Sequence, residues 1–138
     1  MRLGLLFAVV AMLAFGITGI VYKLATEHLD PISLTFFVYV LATVFTAFLW
    51  LFTPAQHIIT RAGLTWVVLA ALFASIGMIA YMVALQAGAV STVTPIRDLA
   101  VVVTVILAIF VLGEHVSYTK ALGLLFGIVA EVLLSLGS

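Results

Sequence analysis

The sequence has no cysteine, and its 138 residues include only five lysine or arginine and five aspartate or glutamate side chains. Without cysteine there is no disulfide framework, no thiolate metal site and no thiol nucleophile. The charges cancel, which removes the electrostatic case for nucleic acid or an acidic partner. The three histidines, His28, His57 and His115, lie in polar breaks without metal-like spacing and read as solvated loop residues. Neither a metal nor a cofactor is expected. There is also no Ser/His pairing, no H-E-x-x-H and no pair of aspartates inside an apolar segment, so the chain does not read as an enzyme.

Apolar residues are abundant. They make up 67% of the chain, charged residues only 7%, and the mean hydropathy is +1.46. A soluble domain is about half apolar and about a quarter charged. A chain this short cannot cover so much apolar surface in a water-facing fold. Lipid must be its solvent, and the fold class is an all-α integral membrane protein.

A helix needs about 20 mostly apolar residues to cross the hydrocarbon layer. Five spans meet that requirement, at residues 3–25, 31–52, 62–86, 91–112 and 118–137, and together they form one membrane domain over 1–138. The first could be mistaken for a signal peptide, because Arg2 precedes an apolar stretch. That stretch runs uncharged from Leu3 to Tyr22 with no A-x-A-like site after it, longer than a typical signal core, so it reads as a retained span. Asp30-Pro31 predicts a capped start for span two, and Thr53-Pro54 its end. Gln86–Ala89 is a very short connection. Gly113 suits a helix C-terminus, and Ser117 can cap span five.

Lysine and arginine near the span ends set orientation. A cytoplasmic N-terminus places Arg2, Arg61 and Lys120 inside against Lys23 outside, with the C-terminus periplasmic or extracellular. Trp50, Trp66 and Tyr118 then line the inner interface and Tyr22 the outer. Moving one or two charges would reverse this bias, so dual insertion stays open.

Small residues form faces suited to close helix approach: Gly123 and Gly127 on span five, Ala70, Ala74 and Gly77 on span three, Gly16 and Gly19 on span one. They read as packing faces.

Charges inside a membrane are costly and are candidates for function. Glu131 follows Gly127 by four residues and Gly123 by eight, so it continues the small-residue face. It is either a structural acid or a coupling group. Arg97 and Asp98 admit two placements. If span four starts at Ser91, Arg97 lies about 9 Å below the outer interface at about 1.5 Å per residue. If Thr94 caps the helix, both charges belong to its first turn. With the N-terminus inside, Arg97 and Glu131 reach similar depth on antiparallel spans and are able to pair. Tyr81, Thr35, Tyr39 and Gly19 reach roughly that level, and Thr104 extends the face inward. Such a polar layer is what a solute pocket needs. Lys23 and Glu114 lie at helix ends and can snorkel to water; Glu27, Asp30 and Arg61 read as loop charges.

Several stretches carry a resemblance. Phe15-Gly16-Ile17-Thr18-Gly19 with Lys23, and Leu29-Asp30-Pro31, resemble the opening of an EamA domain of the drug/metabolite transporter superfamily. Tyr81-x-x-Ala84-Leu85, Ala89 through Pro95-Ile96-Arg97, Leu112-Gly113-Glu114, Gly123 and Gly127 resemble its second half. Nearly the whole chain is covered, and order and spacing carry the specificity. The family commonly builds ten-span carriers from two oppositely oriented five-span repeats, and this chain resembles one such repeat alone.

The resemblance implies a small-solute secondary transporter in the cell inner membrane, often an exporter of amino acids or related metabolites. Arg97, Asp98, Glu131, Tyr81, Thr104 and Lys23 are the candidate binding or coupling residues. Glu131 departs from the pattern, standing where such domains carry a small or apolar residue. The related small multidrug-resistance proteins use an acid in the first span for proton-coupled export. Here that span has none, so the mechanism would need Glu131 instead. Five is odd, so copies inserted the same way cannot form an inverted repeat. The expected partners are the bilayer, a small-molecule substrate, and either a homodimer, antiparallel if need be, or a paired five-span subunit. The competing reading is a non-transporting subunit for assembly or regulation.

Overall fold

A computed structural model describes residues 2–54 and 58–137, the Arg2 side chain excepted. His57, expected in a loop, lies outside the described residues, and so does the Arg2 side chain used for orientation. Among the described residues six helices run in order: α1 (Arg2–Thr26), α2 (Pro31–Phe52), α3 (Arg61–Ala87), α4 (Val90–Asp98), α5 (Ala100–Leu112) and α6 (Tyr118–Leu136). Helices α4 and α5 together make one apolar span, Val90–Leu112, so among the described residues five segments are long and apolar enough to cross a membrane. Their ends fall within one residue of the sequence expectation. The chain is a multi-pass membrane protein.

Local chemistry explains the helix ends. Asp30 accepts from the backbone N–H groups of Ile32 and Ser33 at 3.1 and 3.0 Å, and Pro31 follows as the first helical residue, where its missing N–H costs nothing. Hydrogen bonding from Ser33, its hydroxyl first and its amide next, lowers the Asp30 carboxyl below its ordinary value. Ser117 accepts from the Lys120 N–H at 3.3 Å. Gly113 takes the left-handed conformation at φ 67° that ends α5. Thr60 accepts from the Gly63 N–H at 3.1 Å ahead of α3, a cap that sequence reading missed although a threonine stands just before that span.

The backbone divides into two compact units, Met1–Ile20 with Ala87–Ser138, and Val21–Gln86. In the first, α4 packs against α6. In the second, the buried side chains are Thr26 near the end of α1, Leu34 and Thr35 near the start of α2, and Tyr81, Met82 and Leu85 near the end of α3. Elsewhere large apolar side chains face outward, as Phe45, Phe73, Phe110 and Phe126 do. Such surface is stable only against acyl chains or other membrane helices.

Open space surrounds several of the glycines expected on packing faces. A methyl group added at Gly16, Gly77, Gly123 or Gly127 would meet no atom within 4 Å. Their small size leaves open surface. Gly19, by contrast, is buried.

Candidate functional site

The candidate polar residues separate between the two units. Arg97, Asp98, Thr104 and Glu131 belong to the first, and Lys23 and Tyr81 to the second.

In the first unit, α4 begins at Val90 with Ala89 at its cap, so Pro95 lies inside the helix rather than opening it. Of the two placements for Arg97 and Asp98, the early start is the observed one. The pair occupies the last turn of α4, seven and eight residues beyond Val90, about 10–12 Å along the axis. Proline at 95 cannot donate to the Ser91 carbonyl. The helix then tightens at Leu99, whose carbonyl accepts from Val102 in a three-residue turn at 2.9 Å, and α5 resumes at Ala100. A short tight turn of this kind inside a span is a common hinge.

Consecutive helical side chains point about 100° apart. Arg97 nevertheless wraps onto its neighbour: its Nε and Nη2 donate to Asp98 Oδ1 at 2.8 and 2.5 Å. The side chains keep 35% and 44% of their exposure, so the pair is only partly withdrawn from its surroundings. It also replaces the pairing expected between Arg97 and Glu131. Glu131 is half-buried on α6 and makes no hydrogen bond or ion pair among the described residues. The physical reason is proximity: the Asp98 carboxylate is one residue away and costs almost no chain ordering to reach. The two charged positions remain related through their carriers, because α4 and α6 pack directly.

Thr104 donates to the Ala100 carbonyl at 3.0 Å, the usual way a threonine satisfies itself on a helix in lipid. Thr92, not singled out from the sequence, has a buried hydroxyl oxygen with no hydrogen-bond partner among the described residues.

In the second unit, Lys23 Nζ donates to the Leu85 carbonyl at 2.6 Å. Leu85 lies two residues before the end of α3, so its carbonyl is among the last four that a helix leaves without an internal donor. An ammonium there also meets the negative end of the helix dipole. Instead of snorkelling to water, Lys23 is tied to another helix. Tyr81 is 6% exposed, and its ring meets Tyr22 edge-on with centroids 6.5 Å apart. It is a core residue of this unit.

Clefts among the described residues flank both units' helices. One, of about 480 Å³, lies between α5 and α6 and is lined by apolar residues with Gly123 and Gly127; Glu114 and Lys120 are its charged members. Another, of about 490 Å³, lies between α2 and α3. None of Arg97, Asp98, Glu131, Tyr81, Thr104 and Lys23 lines either cleft, whereas Thr35 and Tyr39 line the second.

In comparison with known proteins, the model of the EamA-like transporter family matches residues 2–136. No curated protein and no solved structure matches the chain significantly.

Proposed function

The chain belongs to the EamA-like transporter family, and from that premise we propose that it is a small-solute secondary transporter exporting metabolites or amino-acid-like molecules. It works as an oligomer of five-span subunits in the cell inner membrane, with its N-terminus cytoplasmic and C-terminus outside. Three basic residues against one at the span ends support this orientation, and the small bias suits an antiparallel homodimer or a paired five-span subunit.

One observation carries the reading. The Arg97–Asp98 ion pair stands within the apolar span Val90–Leu112, just before its discontinuity at Leu99. Charges at such depth are expensive and serve function when kept. A broken helix offers backbone groups and a hinge at the same level. A zwitterionic solute matches the pair, its carboxylate meeting the guanidinium and its ammonium meeting the aspartate. Glu131, on the helix packed against α4, supplies a further carboxyl within the membrane. In the alternative scheme, a proton-coupled multidrug-type exporter, this carboxyl takes the role that an acid in the first span plays in such proteins.

Purified protein in liposomes is expected to move a small metabolite, and Arg97→Ala or Glu131→Gln to impair this without loss of assembly. Correctly assembled wild-type protein that moves nothing across a broad metabolite panel defeats the proposal.

A second reading, a non-transporting subunit for assembly or regulation, is favoured by the α5–α6 cleft. There Gly123 and Gly127 leave room for a partner helix, and none of Arg97, Asp98 and Glu131 lines the space. It requires that the double replacement of Arg97 and Glu131 by apolar residues leave function intact.

A further inference from the structure

Threonine on a lipid-facing helix normally returns its hydroxyl to the carbonyl four residues earlier, because lipid offers no other acceptor. Thr18, Thr35, Thr46 and Thr104 all do so, at 2.6, 2.7, 2.8 and 3.0 Å. Thr43 does not. Among the described residues its hydroxyl makes no hydrogen bond, and the same holds for those of Tyr39 and Ser75. All three line the α2–α3 groove of about 490 Å³, together with Thr35, Phe36 and Ile79. Leaving a hydroxyl without a partner in an apolar medium is costly, and three such groups share one groove. Acyl chains cannot satisfy them.

Their depth is ordered. Thr43 stands twelve residues after Pro31, and Ser75 twelve residues before Ala87. On these two antiparallel helices both lie about 18 Å from the same end, near mid-membrane. Tyr39 and Ile79, each eight residues from that end, lie one turn nearer the interface. The hydroxyls thus descend from the membrane surface to its middle. No ionisable group other than the Tyr39 phenol lines the groove, and Phe36 and Tyr39 give it two aromatic rings.

We propose that this α2–α3 groove is a binding site for an uncharged, planar solute whose edges carry hydrogen-bonding groups. Its flat face lies against Phe36 and Tyr39 and its polar edge meets Tyr39, Thr43 and Ser75. The inference goes beyond the zwitterion reading while resting on the carrier one: it assigns a second, neutral class of cargo to a site apart from Arg97 and Glu131.

The absence of cysteine makes the test free of background. Thr43→Cys, Ser75→Cys and the outward-facing control Leu41→Cys are each reconstituted in nanodiscs. Each is treated with uncharged methyl methanethiosulfonate, then with the sulfonate and trimethylammonium reagents of the same class. Thiols react as thiolates, which need a polar surround, so the uncharged reagent is expected to modify Thr43→Cys and Ser75→Cys at least about tenfold faster than Leu41→Cys. Both charged reagents are expected to lag the uncharged one by a similar factor of about ten, since ions enter an uncharged groove poorly. Nicotinamide slows the modification, its carboxylate counterpart nicotinate does not, and Tyr39→Phe removes the protection.

Modification no faster than at Leu41→Cys overturns the proposal in favour of a lipid-filled groove. Charged reagents that keep pace, protection by nicotinate equal to that by nicotinamide, or no protection by nicotinamide overturn the neutral class. Should one cysteine variant fail to fold, the other carries the same reading. Labelling requires no transport: protection that persists in a protein moving no solute refutes the carrier and keeps the site. Transport without protection refutes the site and keeps the carrier.

Discussion

Lys23 and Leu85, 62 residues apart, are joined by a 2.6 Å hydrogen bond from the lysine ammonium to the leucine backbone carbonyl. Leu85 is fully buried, so the bond ties the end of α1 to the end of α3 within the Val21–Gln86 unit. It closes an orphan carbonyl and places positive charge at a helix C-terminus.

Lys23→Met keeps the apolar stem and removes the ammonium. Stability in micelles is expected to fall by about 1.5–3 kcal/mol, the range for a hydrogen bond with a charged partner. Lys23→Arg is expected to recover much of it. Thermal unfolding measures the loss. Transport by the folded fraction distinguishes the roles: a structural tie lowers stability with KM unchanged, whereas a binding residue raises KM.

Asp30 carries a pH prediction. Its folded-state carboxyl is lowered from the ordinary value of 3.8 by hydrogen bonding from Ser33, hydroxyl first, and from Ile32. A depressed acid contributes stability that is present above the unfolded value and fades as pH falls through the folded one. Thermal stability is therefore expected to drop below about pH 4 through this group. Asp30→Asn still caps the helix and is expected to remove this part of the pH dependence, while Asp30→Ala lowers stability at neutral pH. A pH series of melting curves on the three proteins decides.

Much of the fold was legible because lipid demands long apolar runs, and the breaks carry ordinary helix punctuation. Asp30-Pro31, Gly113 and Ser117 act where capping chemistry places them. The discontinuity at Leu99 was not legible, since Ala100–Leu112 continues the apolar run and a single tightened turn leaves no compositional trace. Nor was the choice of ion partner. Depth along antiparallel helices matched Arg97 to Glu131, but depth carries no information on side-chain torsions, and the adjacent Asp98 took the guanidinium. The groove hydroxyls fared similarly. Thr35 and Tyr39 were legible by level, whereas whether a threonine returns to its own helix, as Thr35 does and Thr43 does not, depends on a rotamer.

Gly113 is the described residue whose backbone needs glycine, at φ 67°. A Cβ there would meet no atom within 4 Å, so the cost of substitution is conformational alone. Gly113→Ala is expected to lower stability by about 1 kcal/mol, and Gly113→Asn by less, because asparagine visits this region more readily. Equal melting temperatures for all three proteins would show that the loop readjusts instead.

The Arg97–Asp98 pair yields the prediction that bears most directly on transport. Removing one partner leaves the other charge in an apolar span without its neighbour, whereas removing both removes the cost of dehydration as well. Asp98→Ala and Arg97→Ala are each expected to destabilise the protein more than the double replacement does. A double-mutant cycle should give a coupling of about 0.5–3 kcal/mol, toward the lower end because both side chains keep over a third of their exposure. Transport should follow a different order. If the guanidinium and carboxylate grip the two ends of a zwitterion, the double variant stays folded yet loses uptake into inverted vesicles at least tenfold, on the order of a lost charged contact or two. A stable double variant that transports at the wild-type rate would assign the pair to packing and move the search for cargo contacts to the α2–α3 groove.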